Sequence, residues 1–316
     1  MPGSDSSENK TQKSNGTTNH AVKSGSHDSE SEFAIKFWGV RGGVPTPGEH
    51  TVRYGGNTAC IEIDIQGTRL IFDAGTGLRV LGEHLRNVSA VEAHLFFTHT
   101  QWDRIQGFPF FIPAFNADNC FHIYGAAGLN GASIKQRLTS QMLRPNFSVP
   151  LQMMQANLCF HNISAGHLLQ IGDITIETIS LSRPSGALGY RVNWNGYSAV
   201  YATDTDHSPD SPDEGMLYLA QNADVLIFDA AYEDHYYYDS SSCSALRNPR
   251  VWQARIEAAL STNVKQMVMF HHDPAHDDQF LSKVEKEMRE IYPNVLMARE
   301  GMTLHVDSHV HPSTSS

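Results

Sequence analysis

From Phe33 onward the chain alternates short apolar, β-branched runs with stretches whose apolar residues return at helical spacing. The first pattern predicts strands at Ala34–Trp38, Ala59–Ile65, Thr68–Asp73, Ala93–Thr98, His122–Gly125, Ile174–Ser180, Gly189–Trp194, Ser198–Thr203, Val225–Asp229, Gln266–His271 and Thr303–Val306. The second predicts helices at Gly77–Arg86, Ile105–Phe115, Ser133–Leu143, Glu214–Asn222, Pro249–Leu260 and Gln279–Tyr292. Strands and helices interleaved in this way favour an α/β class with two sheets and helices on their outer faces.

Several of these strands run out into polar turns, at Asp73 to Gly77, His99 to Arg104, Asp204 to His207 and His271 to Pro274. In layered α/β folds the side chains at strand ends converge on a common edge, so a site can be assembled from distant parts of the chain. The turn Asp73-Ala-Gly-Thr-Gly77 has no Lys after its glycines and does not match a phosphate loop; it reads as a tight strand-to-helix connection. Asp206 and His207 are candidate acid–base residues, although a helix-entry loop through Pro209 and Pro212 accounts for them without chemistry. Tyr232 and Tyr236 to Tyr238 form an aromatic patch suited to a nucleotide base, a subunit interface or ordinary loop packing.

Composition narrows the classes. Residues 1–32 contain no Leu, Ile, Phe, Tyr or Trp and are expected to be a disordered polar tail, because they have too little apolar surface to offset the entropy of ordering. Residues 33–306 are read as one domain and residues 307–316 as a disordered C-terminal tail. At 316 residues, 40% of them hydrophobic and 18% charged, the chain can bury a substantial core. A net charge of −11 argues against a nucleic-acid backbone as the main partner, while leaving room for a small anion in a local basic pocket. Cys60, Cys120, Cys159 and Cys243 form no Cys-x-x-Cys pair, so neither a zinc knuckle nor a redox motif is indicated and they read as scattered thiols. No apolar run is long enough for a membrane span and the N-terminus has no apolar leader core, so a cytoplasmic location is expected.

With these turns in view, the chain resembles the metallo-β-lactamase-fold superfamily, in its phosphodiesterase-like branch related to ribonuclease Z and cyclic-nucleotide phosphodiesterases. The marks are Phe37-Trp-Gly-Val-Arg-Gly-Gly-Val-Pro45, Tyr54-Gly-Gly-Asn57, Phe72-Asp-Ala-Gly-Thr-Gly77, Thr98-His99 with Asp103, Gly186-Ala-Leu-Gly-Tyr-Arg191, Tyr201-Ala-Thr-Asp204, Phe270-His-His-Asp-Pro274 and Arg299-Glu-Gly301. The resemblance implies an αββα sandwich, two mixed sheets flanked by helices, with the site at one edge of the paired sheets.

It also implies two metal positions. The first maps onto His99, Gln101, Arg183 and Asp204, the second onto Asp103, Arg104, Asp204 and His272, so three of the seven ligands are replaced. His271 and His272 are adjacent, alternation sends them to opposite faces, and the resemblance selects His272. A further departure is Asn248-Pro249-Arg250, where related sequences carry Gly-His-Ser beside the reacting phosphate.

A glutamine amide is a poor zinc donor, and arginine has no lone pair and stays protonated. Arg104 and Arg183 are therefore expected to replace the metals electrostatically, pairing with Asp103 and Asp204 or holding a phosphate or carboxylate ligand. The expected function is that of a degenerate hydrolase homologue, a pseudoenzyme without a cofactor, acting as a binding or regulatory module. Its partner would be an anionic small molecule such as a nucleotide, or another protein, with no membrane and with nucleic acid disfavoured by the net charge. One alternative is a metal-dependent phosphodiesterase holding a single zinc or manganese on Asp103, Asp204 and His272, with His99 a further ligand. Another is a structural homodimer subunit. His94, His122, His161, His167 and His235 read as structural or surface residues.

Overall fold

The computed structural model describes residues 32–128, 130–182, 186–205, 212–229 and 250–306. The chain divides into two units, 1–30 and 31–316, and only the second contains described residues. The expected tails at 1–32 and 307–316 lie almost wholly outside the described residues, as do Arg183, Asp206, His207, the tyrosine patch, His235 and Pro249.

Six strands follow one another in the first sheet: β1 (Phe33–Gly39), β2 (Cys60–Ile65), β3 (Thr68–Phe72), β4 (Glu92–Phe96), β5 (Cys120–Ala126) and β6 (Asn157–Ile163). Seven make the second: β7 (Leu168–Ile171), β8 (Ile174–Leu181), β9 (Ala187–Trp194), β10 (Tyr197–Ala202), β11 (Val225–Asp229), β12 (Gln266–Phe270) and β13 (Val295–Met297). The last strand, β14 (Thr303–His305), returns to the first sheet as the antiparallel neighbour of β1. Each sheet is antiparallel in its early strands and parallel in its later ones, β3 to β6 in one and β10 to β13 in the other.

Alternation along β1 sends Phe33, Ile35 and Phe37 inward, and β2 adds Ile61, Ile63 and Ile65 to the same inter-sheet layer. Tyr190, Val192, Ile227 and Phe270 meet them from the second sheet. Burying a side chain of this size contributes about 1.5–3 kcal/mol, so this layer is what clamps the two sheets together. Both faces of β11 are covered, and every residue of Val225–Asp229 is buried, as expected of an interior parallel strand.

Helices close the outer faces. Against the first sheet lie α1 (Thr76–His84), the short α2 (Trp102–Ile105) and α3 (Ile134–Gln141); against the second lie α4 (Glu214–Ala220), α5 (Arg250–Leu260) and α6 (Asp278–Ile291). Starts are marked by side-chain caps: Ser133 and Gln136 make a reciprocal capping box, Asp213 accepts from Met216 N–H and Asp277 from Phe280 N–H. Among the described residues no helix is long and apolar enough to cross a membrane.

The expected helix over 105–115 is not continuous. Pro109 and Pro113 lack the N–H a longer helix needs, and the segment breaks into two 3₁₀ turns, Phe108–Phe110 and Ile112–Phe115. Three strands were not expected: β6 is masked by its polar Asn157, His161 and Asn162 at a sheet edge, while β7 and β13 are too short for a periodic signal.

Candidate functional site

Five strand ends meet at one edge of the sandwich. Asp73 follows β3, the segment His99 to Arg104 follows β4, Asp204 follows β10, Asp229 ends β11, and His271 follows β12. Asp73, Asp204 and His271 all hold left-handed backbone, at φ of 60°, 63° and 58°. Such conformations cost non-glycine residues about 1–3 kcal/mol, so the surrounding contacts must enforce them. The effect is to turn each side chain off its strand's alternation and toward the same point.

At that point stands the guanidinium of Arg104, wholly buried. Its Nη1 donates to Asp73 Oδ2 and to the Tyr201 hydroxyl, each at 2.8 Å. Its Nη2 donates to Asp204 Oδ2, and Nε lies 3.3 Å from Asp103 Oδ2. The Tyr201 hydroxyl donates to Asp73 Oδ2 at 2.9 Å, and Thr98 adds a backbone N–H at 2.9 Å and its hydroxyl at 3.0 Å. Burial works to lower the pKa of this arginine, but Asp204, Tyr201, Asp73 and Asp103 outweigh it and hold its pKa well above the ordinary value. Burial likewise pushes the Asp73 carboxyl up, with Arg104 and His99 working against that shift.

His271 forms the second half of the cluster. Its Nε2 is 3.1 Å from Asp103 Oδ2, and its Nδ1 faces Asp204 Oδ1 at 3.8 Å and Asp229 Oδ1 at 3.6 Å. Burial and Arg104 disfavour its charge, yet Asp204, Asp103 and Asp229 together raise its pKa. Asp103 is lowered: burial opposes ionisation, and the hydrogen bond from His271 and the charge of Arg104 overcome it. Asp229 is pushed up by burial to about 6, while its Oδ2 accepts the backbone N–H groups of Asp204 and Thr205 and so fixes the turn that carries Asp204.

The expected His272 points elsewhere. Its Nε2 donates to the Ala298 carbonyl at 2.8 Å and its ring meets Tyr54 edge-on at 5.8 Å, deep enough that burial drives its pKa down to about 3. Alternation held in that the two rings diverge, but the left-handed backbone at His271 breaks the strand before its parity can select the second histidine. His99 is in place, with Nε2 3.6 Å from Asp204 Oδ2 and Nδ1 2.9 Å from the Thr98 hydroxyl. Gln101 has moved to the surface, where it precedes α2 and its carbonyl accepts the Arg104 N–H.

The residues that sequence reasoning did not place in the site are Asp73, Tyr201, Asp229 and His271, although each carries a polar group at or near a strand end. The glycine-rich segment after β1 supports the same edge: Gly43 N–H reaches Asp103 Oδ2 at 3.3 Å, and a Cβ on Gly42 would lie 2.8 Å from the His271 ring.

Chemically, Asp103, Asp204 and His271 each present a ligand atom within 4.8 Å of the others, the grouping from which a single cation could be held. The same atoms are engaged otherwise. Asp103 Oδ2 is bonded to the His271 ring and lies in ion-pair range of Arg104 Nε, and Asp204 Oδ2 accepts from Arg104 Nη2, so the fixed positive charge already sits among the donors.

Residues 68–272 match the family model described as a beta-lactamase superfamily domain. Ribonuclease Z of Picrophilus torridus is 23% identical over 88% of this chain and 97% of its own. Among solved structures, the short form of human tRNase Z superposes with a TM-score of 0.58 at 15% identity, covering 87% of this chain and all of that one. The metallo-β-lactamase fold protein YhfI from Bacillus subtilis gives 0.57 at 16% identity over 87% of this chain and 99% of that one.

Proposed function

This chain belongs to the metallo-β-lactamase superfamily, and from that premise we propose that it is a member converted from metal chemistry to fixed charge, working as a binding or regulatory module for an anionic ligand. The observation that carries this reading is the buried Arg104 guanidinium, bonded to Asp73, Tyr201 and Asp204 and in ion-pair range of Asp103. Guanidinium does not give up its proton in proteins. At about 4 Å and an effective dielectric near 20, two unit charges interact by about 4 kcal/mol, so a dication beside Arg104 is repelled by roughly twice that.

Sequence chemistry supports the same reading from the other metal position. Gln101 and Arg183 stand where imidazoles would be required, which leaves His99 and Asp204 as the donors there, too few for tight binding. The ligand class follows from the relatives: proteins named ribonuclease Z act in phosphodiester chemistry, and a pocket descended from such a site suits a phosphate group. With a net charge of −11, a small phosphate ester is a better match than a long nucleic-acid backbone.

A second reading is a phosphodiesterase with one zinc or manganese on Asp103, Asp204 and His271, favoured by the proximity of those three donors. It requires Arg104 to leave the cluster.

Metal quantification after purification without chelators decides between them. Fewer than one tightly bound transition metal per chain, with no turnover of a generic phosphodiester in added zinc or manganese, is the expected result. One or more tightly bound metals per chain, or hydrolysis that Asp204→Ala abolishes, would overturn the fixed-charge reading.

A further inference from the structure

A cleft of about 530 Å³ opens beside His99, between the turn that follows β5 and the beginning of β9. Its volume falls within the range of about 300–1,000 Å³ typical of small-molecule sites. We propose that this cleft binds a phosphate monoester carrying a neutral body of nucleoside size, and that Arg137 is the residue that anchors the phosphate. The proposal rests on the anion-binding reading above and gives it a location and an anchor.

Arg137 lies on α3 and lines the cleft together with Asn130, Ser164, Ser180 and His99. It is half-buried, and burial lowers its pKa, with no charged group among the described residues acting on it. Its hydrogen bond is to a neutral acceptor, Nη1 to the Ala126 carbonyl at 3.2 Å. Arg41 and Arg191 likewise bond to backbone carbonyls and neutral side chains, but neither lines the cleft, and three others with buried or partly buried side chains pair with carboxylates. Arg104 pairs with three aspartates, Arg69 with Glu62 and Arg299 with Glu285. Among the described residues, Arg137 has no carboxylate partner. The chain contains 34 acidic residues, yet none of the described residues lining the cleft is acidic.

A desolvated cation without a counter-ion is costly, and an anion entering from solvent removes that cost while gaining charge-assisted, two-pronged hydrogen bonds. Gly128 keeps the approach open, because a Cβ there would come within 2.8 Å of Asn130 Oδ1 and 3.6 Å of Arg137 Cδ. The rest of the wall is small and neutral, with four alanines and Leu188, and offers hydroxyls at Ser164 and Ser180. Such a surface accommodates a flat or sugar-like body, and among the described lining residues Arg137 is the one Lys or Arg.

The test is calorimetric titration of the full chain with adenosine 5′-monophosphate, ribose 5-phosphate, inorganic phosphate and adenosine, repeated on Arg137→Gln and Arg137→Lys. The wild type should bind one or both monoesters more tightly than adenosine, Arg137→Gln should lose about tenfold or more, and Arg137→Lys should recover part of the loss. The melting temperature of each ligand-free variant should stay near wild type, since Arg137 has no ion pair to lose. Equal affinity in wild type and Arg137→Gln would overturn the anchor while leaving the binding reading standing. A wild type that binds none of the four probes overturns the cleft as a phosphate-monoester site. Two bound metals with turnover would overturn the function proposed above, yet a monoester affinity that depends on Arg137 would still support the cleft.

Discussion

Arg104 Nη1 lies 2.8 Å from Asp73 Oδ2, and neither side chain reaches solvent. This contact joins the end of β3 to the loop after β4, and Tyr201 ties the same two groups to the second sheet. Replacing Arg104 with Met would leave Asp73, Asp103 and Asp204 facing one another without the guanidinium. Breaking a buried pair from one side costs about 3–5 kcal/mol, so Arg104→Met should lower the urea midpoint by that equivalent with little change in slope. A loss below about 1 kcal/mol would mean that the carboxylates find another cation.

Restoring the donors should restore the metal. The triple variant with His at 101, 104 and 183 is expected to bind zinc that the wild type does not, read as metal per chain after gel filtration. Arg104→His alone should bind less, because the first position would still lack two imidazoles. A triple variant that gains nothing would show that 183 is not the third position.

Much of the fold was legible because β-branched runs such as Ile174–Leu181 and Val225–Asp229 announce themselves whatever their surroundings. The edge strand Asn157–Ile163 did not, since its cross-strand partners rather than its own hydropathy make it a strand. In the site, His99, Asp103, Arg104 and Asp204 could be found from spacing and resemblance. Tyr201 could not, because its role arises from a contact with Asp73 across 128 residues. His271 was missed for a local reason: parity holds only inside a strand, and β12 ends one residue earlier at Phe270.

The loop that carries Asp103 and Arg104 packs on the turn after β3 with no space between. Gly107 N–H donates to the Ala74 carbonyl at 2.8 Å, and a Cβ at Gly107 would stand 1.9 Å from the Gly75 carbonyl oxygen. Gly107→Ala should therefore cost about 3 kcal/mol or prevent soluble expression. Gly48→Ala, where a Cβ meets nothing within 4 Å, should stay within about 0.5 kcal/mol of wild type. Similar stabilities for the two would contradict this packing.

Asp229 is the one carboxyl in the cluster held up at about 6, by burial first, with His271 the largest influence in the opposite direction. Removing that imidazole in His271→Gln should raise the Asp229 pKa further. Carbon-13 titration of the aspartate carboxyls would show it, and an unchanged or lower value would mean that His271 is not charged beside it.

Acid sensitivity should come from a different place, the row of imidazoles on β4, β5 and β6. His94, His122 and His161 stack across the three strands, with ring centroids 4.9 and 5.6 Å apart, and His94 Nδ1 is 3.2 Å from the Tyr124 hydroxyl. Burial, then the charges of His122 and His161, push the His94 pKa from 6.5 down to about 4, and His161 is lowered by the same causes of burial and His122. The groups facing the row are Glu92, 3.9 Å from His122, and the thiol of Cys120, 3.8 Å from it, neither close enough to His94 to rescue its charge. With the folded pKa below the unfolded one, the unfolded chain binds the proton first. Stability from His94 is thus complete above about pH 6.5, declines as pH falls, and is fully lost below about pH 4. Asp229 works oppositely, since its raised pKa favours the folded state at the acid end, so the wild-type curve alone mixes the two. The difference between wild type and His94→Phe isolates the histidine: the variant's melting temperature should fall less steeply between pH 6.5 and 4. Parallel curves would show that His94 protonates as freely in the folded protein as in the unfolded chain.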